Sequence, residues 1–112
     1  LASDLLIKTI GRVRKHLNPV LEIEGILLTM TDNRTNLSKE TSKILRENYG
    51  RQIKIFQSEI PHSVRASETS IVGQSIYTYD KNGKAALAYR KLTEEVLENE
   101  KSLKKHKTDF LR

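Results

Sequence analysis

Two arginines stand where a sequence of this kind can do chemistry. Arg34 lies in the polar stretch Thr31-Asp32-Asn33-Arg34-Thr35-Asn36, directly after the apolar run Ile26-Leu27-Leu28-Thr29-Met30. Arg65 lies in Pro61-His62-Ser63-Val64-Arg65-Ala66-Ser67-Glu68, beyond a second β-prone run. A guanidinium is planar, always charged and carries five N–H donors, so it suits carboxylate and phosphate oxygens. In open α/β sheets, ligands bind outside the carboxyl ends of the strands, where loops like these lie. Neighbouring parallel strands are about 4.8 Å apart. Loops that follow them lie side by side, and two arginines there make a small anion-binding surface. The same residues equally allow each arginine to pair with a local acid, Asp32 or Glu68. From the residues alone both arrangements stay open.

Other chemistry is thinly represented. There is no GxxxxGKS/T phosphate loop and no GxGxxG turn. The chain has no Cys, which excludes a disulfide scaffold, a thiolate metal site and a Cys nucleophile. His16, His62 and His106 lack the spacing of metal ligands, so no metal site is expected. Glu94, Glu95, Glu98 and Glu100 read as acids on a solvated helix face. By itself the chain offers no catalytic set.

The 112 residues allow one domain, and the net charge is +6. That charge is uneven. Residues 1–50 carry eight Lys/Arg and six Asp/Glu, residues 51–100 carry seven of each, and residues 101–112 carry five and one. A basic balance favours nucleic acid or acidic surfaces as partners, but most of the excess sits in the terminal tail. The cluster Arg12, Arg14, Lys15 and His16 reads mainly as a solvated face with cations at a helix C-terminus. No apolar run is long enough to span a bilayer. The chain starts without Met inside an apparent helix, which reads as a piece of a longer protein.

The elements that must position the two arginines follow from periodicity. Residues Ala2 to Leu17 are predicted helical, with a stripe of Leu6, Ile10, Val13 and Leu17; Asn18-Pro19 stops it. Glu22 to Met30 is predicted as a strand buried on both faces. A second helix, marked by Leu37, Thr41, Ile44 and Leu45, ends near Tyr49-Gly50, with Gly50 as a left-handed cap. Gln52 to Ser58 is predicted as a second strand, parallel to the first. Pro61 to Gln74 reads as a long functional loop and Ser75 to Tyr79 as a short β-prone piece. Asp80 to Gly83 reads as a turn. A third helix, with Ala85, Ala88, Tyr89, Leu92 and Val96, runs through Leu103 and fades at Lys104 to Lys107. The expectation is an α/β layer of about three helices and two to three strands. Residues 1–100 form the domain portion, and 101–112 read as a basic C-terminal tail in the form of a frayed helix.

Three segments carry a resemblance to a known family: EGILLTMTDNRTNLS (24–38), IPHSVRASE (60–68) and YDKNGKAALAYRKLTEEVL (79–97). Together they resemble the C-terminal half of the ParA/Soj family of plasmid- and chromosome-partitioning ATPases, over nearly the whole chain. The resemblance implies the C-terminal part of a P-loop NTPase-like parallel sheet. It implies that the complete protein binds ATP and Mg²⁺ through an N-terminal half whose phosphate loop this chain lacks. No cofactor is then expected in this chain alone. The implied partners are nonspecific DNA, a ParB-type protein and a second copy, with no membrane, in a bacterial cytoplasm on the nucleoid. The family's DNA-contacting arginines match Arg34 and Arg65. Its adenine pocket borders match Met30, Thr31, Asp32, Pro61 and Val64. A stand-alone regulatory or interaction module related to ParA is the alternative.

The sequence departs from that pattern in two places. The family's SEAPS-x-G-x-P is here SETSIVGQS, Ser67 to Ser75, so both prolines are lost and a more mobile loop is expected. The basic segment Lys101 to Arg112 extends past the family's usual end.

Overall fold

A computed structural model describes the backbone of residues 2–111 and the side chains of residues 4–105. The elements run α1 (Ala2–His16), β1 (Ile26–Thr31), α2 (Asn36–Tyr49), β2 (Ile55–Pro61), α3 (Val64–Val72), α4 (Ile76–Tyr79) and α5 (Lys84–Leu111). The α/β class is as expected, with five helices rather than three and two strands among the described residues. β1 and β2 pair in parallel, joined through α2.

α1 ends at His16, just ahead of Asn18-Pro19, and Val13 O accepts from both Leu17 N and Asn18 N at 2.9 Å. Its inward stripe differs by one position from the predicted one. Ile7, Ile10 and Val13 are half-buried, whereas Leu6 and Leu17 are 61% and 79% exposed. The Tyr49 hydroxyl of α2 donates to the Asp4 carboxylate. An apolar cleft of about 290 Å³, lined by Ile7, Ile10, Ile26, Leu27, Leu45 and Ile55 among others, separates α1 from the sheet.

The apolar run 26–30 does form a strand, but it starts at Ile26 rather than Glu22, where Ile26 N first finds Lys54 O at 2.8 Å. No β1 residue is fully buried, and Thr29 and Met30 are exposed. A strand with one neighbour has only part of its surface covered, so the expected burial on both faces is not reached. Gly25, at the entry to β1, is required by close approach: a Cβ there would lie 2.7 Å from the Phe56 ring. The small core is Phe56 and Ile60 of β2 with Ala85 and Ala86 of α5. α5 packs on β2, and two alanines at its start leave room for the strand.

The sheet is irregular twice. Ile26 pairs with Ile55, but Leu28 already pairs with Glu59, so β2 carries extra residues in between. There, Gln57 N and Ser58 N donate to the Glu95 carboxylate of α5 at 2.6 and 2.9 Å. Glu95 is therefore a strand cap and not a solvated surface acid. Further on, Thr29 pairs with Ile60 and Thr31 with Pro61, leaving Met30 as the extra residue on β1. Met30 has φ 55°, the only positive φ of a non-glycine among the described residues.

Four further expectations are corrected. Gly50 is right-handed, φ −61°, because the chain keeps winding: Gln52 N and Ile53 N both donate to Tyr49 O. Pro61 to Gln74 is not a loop. Ser63 caps α3 by accepting from Ala66 N, no proline interrupts the helix, and Gly73, φ 69°, closes it in the left-handed cap. Ser75 to Tyr79 is a single helical turn capped by Ser75, with no strand alongside it to pair with among the described residues. α5 runs through Leu111 rather than ending at Leu103.

Candidate anion-binding edge of the sheet

Both strands point their carboxyl ends to the same edge. Thr31, the last residue of β1, pairs with Pro61, the last of β2, and His62 N donates to Thr31 O at 2.9 Å. The two connections leaving the sheet are stitched together at their first residues. The loop after β1 is folded on itself. Asp32 N donates to Ser38 Oγ at 2.9 Å, and Thr35 caps α2 by accepting from Ser38 N. Arg34 stands in this loop, and Arg65 is the second residue of α3.

Arg34 pairs with Asp32 through both carboxylate oxygens: Nε donates to Oδ1 at 3.0 Å and Nη2 to Oδ2 at 3.2 Å. Arg34 N also donates to Oδ1, at 3.0 Å. These contacts, the side-chain one first and the backbone one second, lower the Asp32 pKa to about 2, with Lys84 adding its charge. The Arg34 pKa rises in turn through the same Asp32 bond. The local pair that the sequence left open is formed, yet the Arg34 side chain stays 85% exposed. Since Asp32 takes Nε and Nη2, the Nη1 side of the fork lies outside that pair.

Arg65 pairs more loosely with its local acid, Nη1 to Glu68 Oε2 at 3.9 Å, and is 59% exposed. Its guanidinium lies over the Tyr79 ring, 5.5 Å from the centroid. Its pKa is raised by Tyr79 first, then by the charges of Asp80 and Glu68. Tyr79 was not singled out from the sequence, where nothing local ties it to Arg65; only the α3–α4 turn does.

The five residues matched to an adenine pocket all sit at this edge. Met30, Thr31 and Asp32 line a cleft between β1 and α2. Thr31 and Pro61 line a second cleft, toward α5, with Lys84 and Lys91. Val64 borders neither and is 65% exposed at the start of α3. Among the described residues no group of three His, Cys, Asp or Glu is arranged to hold a metal. No described helix is long and apolar enough to cross a membrane.

A parallel β1–α2–β2 unit with basic groups beyond its strand ends is the class of α/β layer found in P-loop NTPase-like proteins. No family model matches the chain. Individual proteins do. The chain is 42% identical over 96 residues to the chromosome partitioning protein ParA of Caulobacter vibrioides, spanning 86% of this chain and 35% of that protein. It is 41% identical over 98 residues to the sporulation initiation inhibitor protein Soj of Bacillus subtilis, 84% of this chain and 36% of that one. It is 40% identical over 92 residues to the chromosome-partitioning ATPase Soj of Thermus thermophilus, 82% and 36%. The chain thus spans about a third of the length of the relatives it matches. Its homologues are ParA/Soj chromosome-partitioning proteins, of which it matches only the C-terminal portion.

Proposed function

We propose that this chain supplies the DNA-contacting edge and the adenine-side wall of a ParA/Soj-type partitioning ATPase. The observation that carries the reading is the shared carboxyl edge of β1 and β2, tied by His62 N to Thr31 O, with Arg34 and Arg65 on its two connections. The kinship to ParA and Soj proteins supports it. On this reading Arg34 and Arg65 contact DNA phosphates without reading bases. Met30, Thr31, Asp32, Pro61 and Val64 border the adenine. ATP and Mg²⁺ are held by the complete protein, whose phosphate-binding groups come from outside these residues. The partners are nonspecific DNA, a ParB-type protein and a second copy, and the setting is the bacterial cytoplasm on the nucleoid.

The strained Met30 supports the nucleotide part of the reading. A bulky residue at positive φ costs of order 1–3 kcal/mol and persists where the surroundings impose it, often at ligand sites. Here it sits on a bulge at the strand end, exposed rather than packed in the core.

The test is salt-dependent DNA affinity of the complete ATP-bound protein. Phosphate contacts release counterions, so log affinity falls linearly with log salt. Arg34→Ala and Arg65→Ala each lower affinity and reduce the slope by about one unit, with ATP affinity and sequence preference unchanged. Deleting the residues after Leu103 has a smaller effect. Arginine variants that bind like the parent, with binding abolished by the deletion, would move the DNA site to the basic C-terminal segment.

A further inference from the structure

Arg34 and Arg65 are held in different ways. Arg34 is fixed by a carboxylate two residues away through two hydrogen bonds of 3.0 and 3.2 Å. The Arg65–Glu68 distance of 3.9 Å is too long for a hydrogen bond, and an exposed pair of this kind contributes little order. What remains to direct Arg65 is Tyr79, the last residue of α4, whose ring lies under the guanidinium. The Tyr79 hydroxyl donates to Glu68 Oε2 at 2.5 Å, the same oxygen that faces Arg65 Nη1. Ring, carboxylate and guanidinium close a triangle across two helices. It ties α3 to the four-residue turn α4, which also reaches α5 through the Tyr77 ring and Arg90.

We propose that Tyr79 is a positioning residue for Arg65: its ring supports the guanidinium and its hydroxyl holds Glu68, so that Arg65 meets a DNA phosphate already ordered. This rests on the DNA-binding reading above. A long side chain loses rotamer freedom when it is fixed at an interface, and that cost falls when the free protein has fixed it beforehand. Glu68 serves the same end from the side: held by Tyr79, it stays beside the guanidinium and does not compete for its outer face.

The experiment uses the complete ATP-bound protein and a nonspecific duplex. Tyr79→Leu weakens DNA binding about two- to fivefold, the size of an exposed cation–π contact. Tyr79→Phe keeps the ring but releases Glu68, so it weakens binding less than Tyr79→Leu does and stays within about twofold of the parent. In an Arg65→Ala background, Tyr79→Leu adds nothing, because the two residues act as one unit. The stack is also read without any variant: the Arg65 δ-protons shift upfield under the Tyr79 ring in the NMR spectrum. Ordinary δ-proton shifts, or an undiminished Tyr79→Leu effect in the Arg65→Ala background, would overturn the proposal. If Arg65→Ala weakens binding and Tyr79→Leu does not, the proposal alone falls. If Arg65→Ala binds like the parent, the DNA reading falls and takes the proposal with it.

Discussion

At the scale of single residues, the Asp32–Arg34 pair sets what the edge presents to an anion. The Asp32 carboxyl is held at about 2, below its ordinary 3.8, by Arg34's side-chain and backbone N–H groups. A depressed folded pKa means the pair contributes above pH 3.8 and is lost as pH falls through about 2. The Asp32 carboxyl carbon, followed by NMR, is therefore expected to titrate near 2 in the parent. In Arg34→Ala its midpoint moves upward toward 3.8, but not all the way, since the backbone N–H of residue 34 and Lys84 remain. A midpoint that does not move would mean that the side-chain bonds are absent in solution. The pair was legible in the sequence as an acid two residues before a base. The Tyr79 platform was not, because Arg65 and Tyr79 are brought together only by the turn between α3 and α4.

At the scale of elements, the sequence showed the parallel β1–α2–β2 unit because its apolar runs and polar junctions are local. It hid α3 for a physical reason. Val64–Val72 is mostly exposed, with no buried residue, and its apolar residues form no continuous buried stripe to detect. Its local signals are Ser63 and Gly73, residue types that turns favour equally. Glu95 was hidden similarly: among neighbouring glutamates nothing marks the one that reaches a strand. Desolvation raises its pKa, and the bonds from Ser58 and Gln57 outweigh that, so the net shift is downward from 4.5. Its contribution is thus present above pH 4.5 and lost as pH falls through the lower folded value. Glu95→Ala should destabilise the fold by about 1 kcal/mol, below the range of about 1.5–3 kcal/mol for hydrogen bonds to charged groups, because Gln57 is exposed and water can replace one of them. Hydrogen exchange at the Gln57 and Ser58 amides should quicken more than elsewhere in β2. Uniform exchange with unchanged stability would show that the carboxylate is not the cap.

At the scale of the whole molecule, the chain exposes more surface than its mass accounts for. A folded monomer of 12.9 kDa is expected to expose about 6300 Å², and this chain exposes 9123 Å². The radius of gyration, 16.8 Å, exceeds the roughly 13 Å of a compact domain of this length. The excess of about 2800 Å² is larger than the 1,200–2,000 Å² buried in a standard protein interface. Much of it is apolar: Leu6, Leu17, Val20, Met30, Leu37 and Ile71 are each more than 60% exposed. β1 and β2 each also have one edge without a strand partner among the described residues. Such faces are expected to be covered, so the chain studied alone should form dimers or larger species in light scattering at high concentration. Salt separates this association from DNA binding. The net charge of +6 opposes self-association, and salt screens that repulsion without weakening apolar contacts. Raising salt should therefore increase the apparent mass, while the same change weakens binding to DNA phosphates. A monodisperse monomer at every salt concentration would show that the exposed apolar faces do not drive assembly.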